Sequence, residues 1–268
     1  MERFDALLQR KSTRHYAPEP VSADIFDQIR TEIKSIQLPF YDAGDLNIEL
    51  IEDGTKIQRA SKGLIGAIAK SRAPHYLVLS GKPEDGMLEN AGFAGENLIL
   101  SLTAQGIATC WQGGHVKKSA RSTLIDTNAG HHLAALIGFG RPKQSGAHLR
   151  NDPARANRKR VDQLTADGVV DSRWRPIIEA VRLAPSAVNS QPWRFYCDGK
   201  RLHLFIAPAG SFLFRKMLGD INLVDAGIAL CHIAEAARHL KRSISYESTP
   251  DVRYGELTYI LTVVDTDT

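Results

Sequence analysis

Apolar and polar residues follow two periods along the first part of the chain, one typical of helices and one typical of strands. Apolar residues spaced about 3.6 positions apart predict amphipathic helices, whereas alternation or a short continuous apolar run predicts strands. The predicted helices cover Phe4 to Gln9, Ile25 to Ile36 with Ser22 as N-cap, and Ala91 to Ala108 with Gly106 as C-cap. The predicted strands cover Leu46 to Ile51, Tyr76 to Leu79 and Leu133 to Phe139, and Cys110 to Gly114 is predicted to be a turn.

The pattern starts again after a polar, basic stretch from Pro142 to Gly168, which its Pro and Gly residues predict to be a connector on the surface. A helix, a strand, a long apolar helix and a final strand are then predicted in that order. They cover Arg175 to Leu183, Leu202 to Ala207, Leu223 to Leu240 and Leu257 to Val264.

This restart indicates an internal repeat. The stretch Asn90-Ala91-Gly92-Phe93-Ala94 resembles Asp225-Ala226-Gly227-Ile228-Ala229, and each stretch opens an apolar helix. The residue-by-residue similarity is weak, and it is the order of elements that recurs. Chance similarity between two helix–strand modules is the alternative interpretation.

Composition and charge narrow the class of protein. The 268 residues are 43% hydrophobic and 24% charged, which is typical of a soluble globular protein. No apolar run reaches the roughly 20 residues of a membrane-spanning helix, and the N-terminus lacks the features of a secretory signal. Three cysteines without metal-ligand spacing favour a reducing cytoplasmic location and no metal site. The net charge of +4 suits an anionic small molecule at least as well as a nucleic acid, and the chain lacks the dense basic stripe that nucleic-acid binding needs. Neither a nucleic-acid partner nor a membrane partner is expected.

The most specific motif is the decapeptide from Ala184 to Trp193, which reads Ala-Pro-Ser-Ala-Val-Asn-Ser-Gln-Pro-Trp. Two prolines bracket side chains that donate and accept hydrogen bonds, which predicts an ordered loop. A rigid turn that packs Trp193 into the core is the structural alternative. The segment follows a predicted helix, precedes a strand, and resembles the APSxxNxQPW motif of nitroreductase-family flavoproteins.

A second motif, from Arg10 to Tyr16, reads Arg-Lys-Ser-Thr-Arg-His-Tyr and resembles the RRSxRxF segment of the same family. Its cations and hydroxyls are groups that bind phosphate, although a basic run alone is often only a solvated surface. Further similarity lies in the apolar helix with the turn after it, in the strand ending Gly138-Phe139-Gly140, and in the later basic residues Arg158 and Lys159.

The resemblance covers essentially the whole chain and implies an α+β fold of the nitroreductase type, with central mixed or antiparallel sheets flanked by helices. It implies bound FMN. The phosphate and ribityl groups would be held by Arg10, Lys11, Ser12, Arg14, Arg158 and Lys159. The pyrimidine edge of the flavin would be contacted by Lys70, and its N5 region by Gln112, Gly113 and Gly114. The flavin ring would be lined by Pro185, Ser186, Asn189 and Gln191.

Family members are usually homodimers of shorter chains with flavins at the interface. Here the basic motif occurs only in the first half, and the APSxxN motif only in the second. The first half instead reads Ile36-Gln37-Leu38-Pro39-Phe40 at the position that corresponds to APSxxN. The chain is therefore interpreted as two degenerate half-repeats, 1–165 and 166–268, which form an intramolecular pseudo-dimer with one FMN. The sequence does not decide whether two such chains form a further homodimer.

The resemblance implies ping-pong hydride transfer from NADH or NADPH through FMN to a small acceptor such as a nitroaromatic or a quinone. The residues point to no catalytic acid or base. Two alternatives are an FMN-binding or storage protein without turnover, and a different flavin chemistry on the same scaffold.

Overall fold

A computed structural model describes residues 1–40, 46–60, 71–113, 122, 124–208, 212–249 and 251–267. These residues belong to two compact units, Met1–Asn151 and Asp152–Thr268. The boundary lies within the connector predicted between Pro142 and Gly168. In the described part of the chain, no helix is both long enough and apolar enough to cross a membrane.

The first unit is built from helices and one antiparallel sheet. Its helices are α1 (Arg3–Gln9), α2 (Ala23–Ser35), α3 (Thr55–Ala60) and α4 (Met87–Ala104), and its strands are β1 (Asn47–Ile51), β2 (His75–Gly81), β3 (Ala108–Gly113) and β4 (His132–Gly140). The strand order is β1-β2-β4-β3. Strand β2 is buried at every position because it lies between two neighbours and beneath helices, as its continuous apolar run predicts.

Helix α4 is the buried centre of the first unit. Its Leu98 and Ile99 side chains pack with Leu77 of β2 and Ile137 of β4 in one hydrophobic core. The helix ends in a Schellman motif, in which Gly106 has a φ of +82° and the Ile107 N–H donates to the Leu102 carbonyl. Gly106 therefore closes the helix, as predicted, although the helix ends earlier than Ala108.

The second unit repeats this plan. Its helices are α5 (Val161–Leu164), α6 (Arg175–Val181) and α7 (Phe212–His239), and its strands are β5 (Trp193–Asp198), β6 (Arg201–Ile206), β7 (Ile244–Glu247) and β8 (Thr258–Asp265). The strand order is β5-β6-β8-β7, again fully antiparallel. Helix α7 also ends in a Schellman motif, with Lys241 at a φ of +56° and the Arg242 N–H donating to the Ala237 carbonyl.

The two units thus share one topology: two strands, a long apolar helix, and two further strands that pair in the same order. This agrees with the order of elements that recurs in the sequence.

The turn predicted from Cys110 to Gly114 is wrong for the described residues, because β3 continues to Gly113 and pairs with β4 up to Ala135. Strand β7 was not predicted, since each of its four residues is only half-buried and its pattern is weak.

Candidate functional site

The basic segment after α1 is held in an extended conformation by backbone hydrogen bonds. Arg10 pairs antiparallel with Leu149. The Lys11 N–H donates to the His148 carbonyl at 2.9 Å, and the Thr13 N–H donates to the Thr109 carbonyl at 2.9 Å. The segment therefore lies between β3 and the loop after β4, which fixes its side chains relative to the sheet.

Arg10 is the most buried cation of this segment, with 1% of its surface exposed. Its guanidinium donates to the Ser12 hydroxyl at 3.3 Å and lies 3.9 Å from the buried Glu96 carboxylate of α4. The other Glu96 oxygen accepts a 2.7 Å hydrogen bond from the Trp111 indole of β3. Glu96 therefore anchors both the basic segment and β3 to the central helix.

Several polar atoms in this region are buried without a hydrogen-bond partner among the described residues. They are Arg10 Nε and both ring nitrogens of His148. Lys11 and Arg14 are exposed beside them, and Ser12 is half-buried. The region thus offers donors and positive charge that the described protein atoms do not use fully, which is the character of an anion site.

The end of β3 places Gln112 in the interior, 2% exposed. Its amide nitrogen donates to the Ser71 hydroxyl at 3.2 Å, and its amide oxygen is buried without a partner among the described residues. Gly113 is the last residue of β3. Gly114 and Lys70, which were also predicted to contact the flavin, lie outside the described residues.

Two side chains near the basic segment, the Tyr16 phenol and the Cys110 thiol, keep their protons at neutral pH. Burial raises the pKa of the Tyr16 phenol, and burial also raises the pKa of the Cys110 thiol in spite of the nearby Arg14 and Arg10. The Tyr16 hydroxyl donates to the Gly138 carbonyl at 3.1 Å. Neither group is therefore an activated nucleophile.

The APSxxNxQPW segment in the second unit is an ordered loop, as predicted. It contains one 3-10 turn, Ala187–Asn189, and three of its residues have left-handed backbone angles: Val188 at +48°, Asn189 at +57° and Gln191 at +48°. Such angles are costly for residues other than glycine, so the surrounding contacts must hold the loop in place.

Two polar groups, the half-buried Ser186 and the buried Asp225, hold the loop in place. The Ser186 hydroxyl accepts a 2.9 Å hydrogen bond from the Gln191 N–H. The Asp225 carboxylate of α7, 2% exposed, accepts from the Ala187 N–H with both oxygens at 3.1 Å. Burial raises the pKa of Asp225 to about 8, although the bond from Ala187 opposes the shift.

The connector before α5 lies against the same loop. Arg158 donates to the Asn189 side-chain oxygen at 2.7 Å, and the Lys159 N–H donates to the Gln191 side-chain oxygen at 2.7 Å. The Lys159 ammonium donates to the carbonyls of Ser190 and Gln191 at 2.9 and 3.0 Å. Burial and the neighbouring Arg194 lower the pKa of Lys159 to about 8.

The structure therefore brings the predicted site residues together in two groups, one within each unit. Arg10, Lys11, Ser12 and Arg14 form the first group, and the buried Gln112 lies on β3, the strand whose Thr109 binds this segment. Arg158 and Lys159 join Ser186, Asn189 and Gln191 in the second, while Pro185 is buried beside them. Their contacts with a flavin stay a prediction.

Three residues of these groups were not predicted from the sequence. His148 gives no signal, because a lone histidine in a basic loop has no characteristic spacing. Glu96 is an acid within an apolar helix, which is a weak signal for a buried charge partner. Asp225 stands at the repeat position of Asn90, but the repeat in the sequence gives no sign that the side chain at this position is buried against a loop.

A separate cleft of about 400 Å³ lies in the first unit. It is lined by Glu49, Ser122, Leu124, Ile125, Asp126, Thr127 and Asn128, none of which is a predicted site residue. Its two carboxylates make it unsuitable for a phosphate group.

Comparison with known proteins identifies relatives of the whole chain. A family model described as "Putative TM nitroreductase" matches residues 2–237. The structure is similar to one from Thermotoga maritima described as a putative nitroreductase, with 22% identity and a TM-score of 0.62 over 100% of this chain and 95% of that chain. This similarity shows the fold and confirms the predicted α+β nitroreductase type.

Two shorter chains are also similar. A nitroreductase with bound FMN from Bacteroides fragilis has 19% identity and a TM-score of 0.47, over 64% of this chain and 100% of that one. An FMN-dependent nitroreductase from Clostridium difficile has 18% identity and a TM-score of 0.43, over 56% of this chain and 93% of that one. No curated protein matches the sequence.

Proposed function

Because the chain belongs to the family described as "Putative TM nitroreductase", we propose that it is an FMN-dependent oxidoreductase. It would pass electrons from NADH or NADPH to a small acceptor such as a nitroaromatic or a quinone. One observation carries the proposal: the basic segment holds cationic and polar donors in a fixed backbone conformation, and Arg10 Nε, like both ring nitrogens of the adjoining His148, is buried without a partner among the described residues.

The first group of residues fits the phosphate end of FMN. A phosphate dianion is best bound by guanidinium, ammonium and hydroxyl donors that already point in fixed directions. Lys11 and Arg14 supply exposed charge and Ser12 supplies a hydroxyl, while the Arg10 Nε has no partner in the described part of the chain. The extended backbone, fixed by the Lys11 and Thr13 amides, reduces the entropy that these side chains would lose on binding.

The second group fits a planar, hydrogen-bonding ligand. Its loop presents the exposed Asn189 beside Arg158, on a backbone that Ser186, Gln191 and Asp225 hold rigid. Rigid presentation of a few polar groups is what orients a flavin ring. Since each of the two motifs occurs once in the chain, we propose one FMN per chain.

When bound, FMN supplies the hydride transfer, and the chain supplies binding and orientation. Arg10, Lys11, Ser12 and Arg14 would hold the phosphate and ribityl groups. Gln112, whose amide oxygen has no partner among the described residues, would accept a hydrogen bond from the ring system. Arg158 and Lys159 would act through the loop that they contact, by fixing Asn189 and Gln191. No protein acid or base is required by this arrangement.

The test is an anaerobic absorbance titration of the purified chain with FMN, followed by NADPH and NADH. We expect flavin bands that saturate at one FMN per chain and bleach when a nicotinamide donor is added. Saturation at two would disprove the single site. If FMN binds but neither donor bleaches it, the protein is an FMN-binding or storage protein and not an oxidoreductase. If FMN does not bind, the proposal is refuted altogether.

Two variants test the residues. Lys11→Gln should weaken FMN about tenfold to a hundredfold, because a charge-assisted hydrogen bond contributes roughly 1.5–3 kcal/mol. Lys56→Gln, which removes an exposed lysine from α3, is the matched control and should leave the affinity unchanged. Asn189→Ala should also weaken FMN. Equal affinities for all these variants would show that FMN binds elsewhere.

A further inference from the structure

His148 is a buried imidazole whose hydrogen-bonding capacity is unused among the described residues. Only 6% of its surface is exposed, and both Nδ1 and Nε2 are buried without a partner. Buried polar groups are almost always paired, because leaving water without a replacement partner is costly. Two unpaired nitrogens on one ring therefore indicate that a polar group normally completes this part of the molecule.

The position of His148 indicates the charge of that group. Its carbonyl accepts the Lys11 N–H at 2.9 Å, so the ring belongs to the loop that runs beside the basic segment. Burial and the positive charge of Lys11 lower the pKa of His148, and the ring is consequently neutral at pH 7 with one N–H to donate. Positive charge from Lys11 next to an N–H donor favours an acceptor that is an anion.

Arg10 gives a second, independent indication. Its Nε is also buried without a partner among the described residues, and the nearest Glu96 carboxylate oxygen is 3.9 Å away, beyond hydrogen-bonding distance. Arg10 pairs with Leu149, the residue after His148. An unused guanidinium donor and an unused imidazole donor thus belong to neighbouring positions of two paired segments.

We propose that His148 is a ligand of the FMN phosphate, donating an imidazole hydrogen bond to it alongside the basic segment. This inference rests on the proposed function for the identity of the ligand. A phosphate monoester accepts several hydrogen bonds at once, and would give the His148 ring and the Arg10 Nε the partner that the described residues do not provide.

The inference is tested with the full chain and the variant His148→Phe, titrated separately with FMN and with riboflavin, which lacks the phosphate. Phenylalanine retains a buried ring and removes both unpaired nitrogens, so the ligand-free variant should be at least as resistant to urea as the wild type. We expect the variant to bind FMN about tenfold to a hundredfold more weakly and riboflavin with unchanged affinity. The control His132→Gln, at an exposed histidine of β4, should change neither.

The outcomes separate the inference from the function on which it rests. If the wild type binds FMN and His148→Phe binds it equally well, the inference is wrong and the proposed function stands. If the variant loses FMN and riboflavin affinity in equal proportion, His148 is structural and the inference is again wrong. If the wild type binds neither flavin, the proposed function fails. Titration of wild type and His148→Phe with inorganic phosphate then decides whether His148 binds a phosphate group.

Discussion

At the scale of single residues, the loop between Leu183 and Trp193 combines costly backbone angles with a specific sequence. Asn189 tolerates its φ of +57° because its short polar side chain suits the left-handed region and is paired with Arg158. Val188, at a φ of +48°, is β-branched and 76% exposed, so it gains no burial in return. The loop conformation is therefore maintained by its neighbours and not by Val188.

The first prediction follows from this strain. Val188→Asn should raise the free energy of unfolding by about 1 kcal/mol, because a left-handed angle costs an ordinary residue roughly 1–2 kcal/mol and asparagine less. Urea unfolding monitored by tryptophan fluorescence measures the change. Val169→Asn is the matched control, since Val169 is 64% exposed and has no positive φ. Equal effects of the two substitutions would mean that polarity, and not backbone strain, is responsible.

The second prediction concerns the pH dependence of stability. Asp225 has its pKa raised from 3.8 to about 8, so the folded chain keeps a proton that the unfolded chain has lost. Its contribution to the free energy of unfolding is fully present below pH 3.8 and is lost as the pH rises toward about 8, at up to about 1.4 kcal/mol per pH unit. Asp225→Asn should remove this slope and make the chain more stable than the wild type at pH 8.

Urea unfolding at several pH values between 5 and 8.5 measures this slope. Asp220→Asn, at an exposed acid of the same helix, should leave the slope of the wild type intact. A slope that persists in Asp225→Asn would assign the pH dependence to other groups. The variant also separates charge from hydrogen bonding, because asparagine can still accept the Ala187 N–H.

At the scale of elements, the sequence predicted helices and buried strands well where the apolar pattern was strong. The prediction failed at β3, where Gly113 and Gly114 suggested a turn. The pairing of Ala108 to Gly113 with β4 cannot be inferred from local residues. The prediction also missed β7, an edge strand whose residues are only half-buried. In both places the secondary structure is determined by pairing with a neighbouring strand, and not by the local preferences of the residues.

Helix α4 and strand β3 approach one another closely at Gly95. A Cβ atom on Gly95 would lie 2.3 Å from Trp111 Cη2 and 2.9 Å from Ile137 Cδ1. The Trp111 ring is also tied to Glu96 through its indole N–H, so it has little freedom to move away. The contact joins the central helix to the strand that carries Gln112.

The third prediction tests this contact. Gly95→Ala should lower the free energy of unfolding by about 1–3 kcal/mol, because the extra methyl group overpacks a filled core. Trp111→Phe removes the ring atoms that would clash, so the double variant Gly95→Ala/Trp111→Phe should lose less than the sum of the two single losses. Urea unfolding of all four proteins forms a double-mutant cycle. Additive losses would show that the methyl group does not meet Trp111.

At the scale of the whole molecule, the two units share strand order and helix ends but differ in the loop before the first strand of each sheet. In the second unit this loop is the APSxxNxQPW segment, held by Asp225. In the first unit the corresponding stretch ends at Phe40, whose N–H and carbonyl are both bound by the Asn90 side chain, at 3.2 and 2.7 Å. Asn90 and Asp225 stand at matching positions of the two repeats and each binds the loop backbone.

The candidate site was therefore predictable from sequence only in part. The motifs indicated the basic segment and the APSxxN loop, because both resemble motifs of the nitroreductase family. The sequence could not indicate that Arg158 and Lys159 contact the loop, nor that His148 is buried without a partner among the described residues, because these facts depend on packing between segments far apart in sequence. The predicted halves 1–165 and 166–268 stay a prediction beside the units Met1–Asn151 and Asp152–Thr268.

The last prediction concerns the divergence of the two repeats at the matching positions Asn90 and Asp225. Asn90 is completely buried and needs both its donor and its acceptor, whereas Asp225 needs only to accept. Asn90→Asp would place a carboxylate against the Phe40 carbonyl and should lower the free energy of unfolding by about 2–3 kcal/mol at pH 7. The loss should shrink at pH 5, where a buried aspartic acid can keep a proton and donate it to that carbonyl.

Urea unfolding of Asn90→Asp at pH 5 and pH 7 measures this difference, with Asn128→Asp, at an exposed asparagine, as the control that should change little at either pH. Taken with Asp225→Asn, which should be tolerated, the result would show that the exchange of Asn and Asp is asymmetric. The asymmetry has a physical cause, since one loop offers both an N–H and a carbonyl to its helix and the other offers an N–H alone. Equal tolerance of both exchanges would mean that the two loops are held by contacts other than these two side chains.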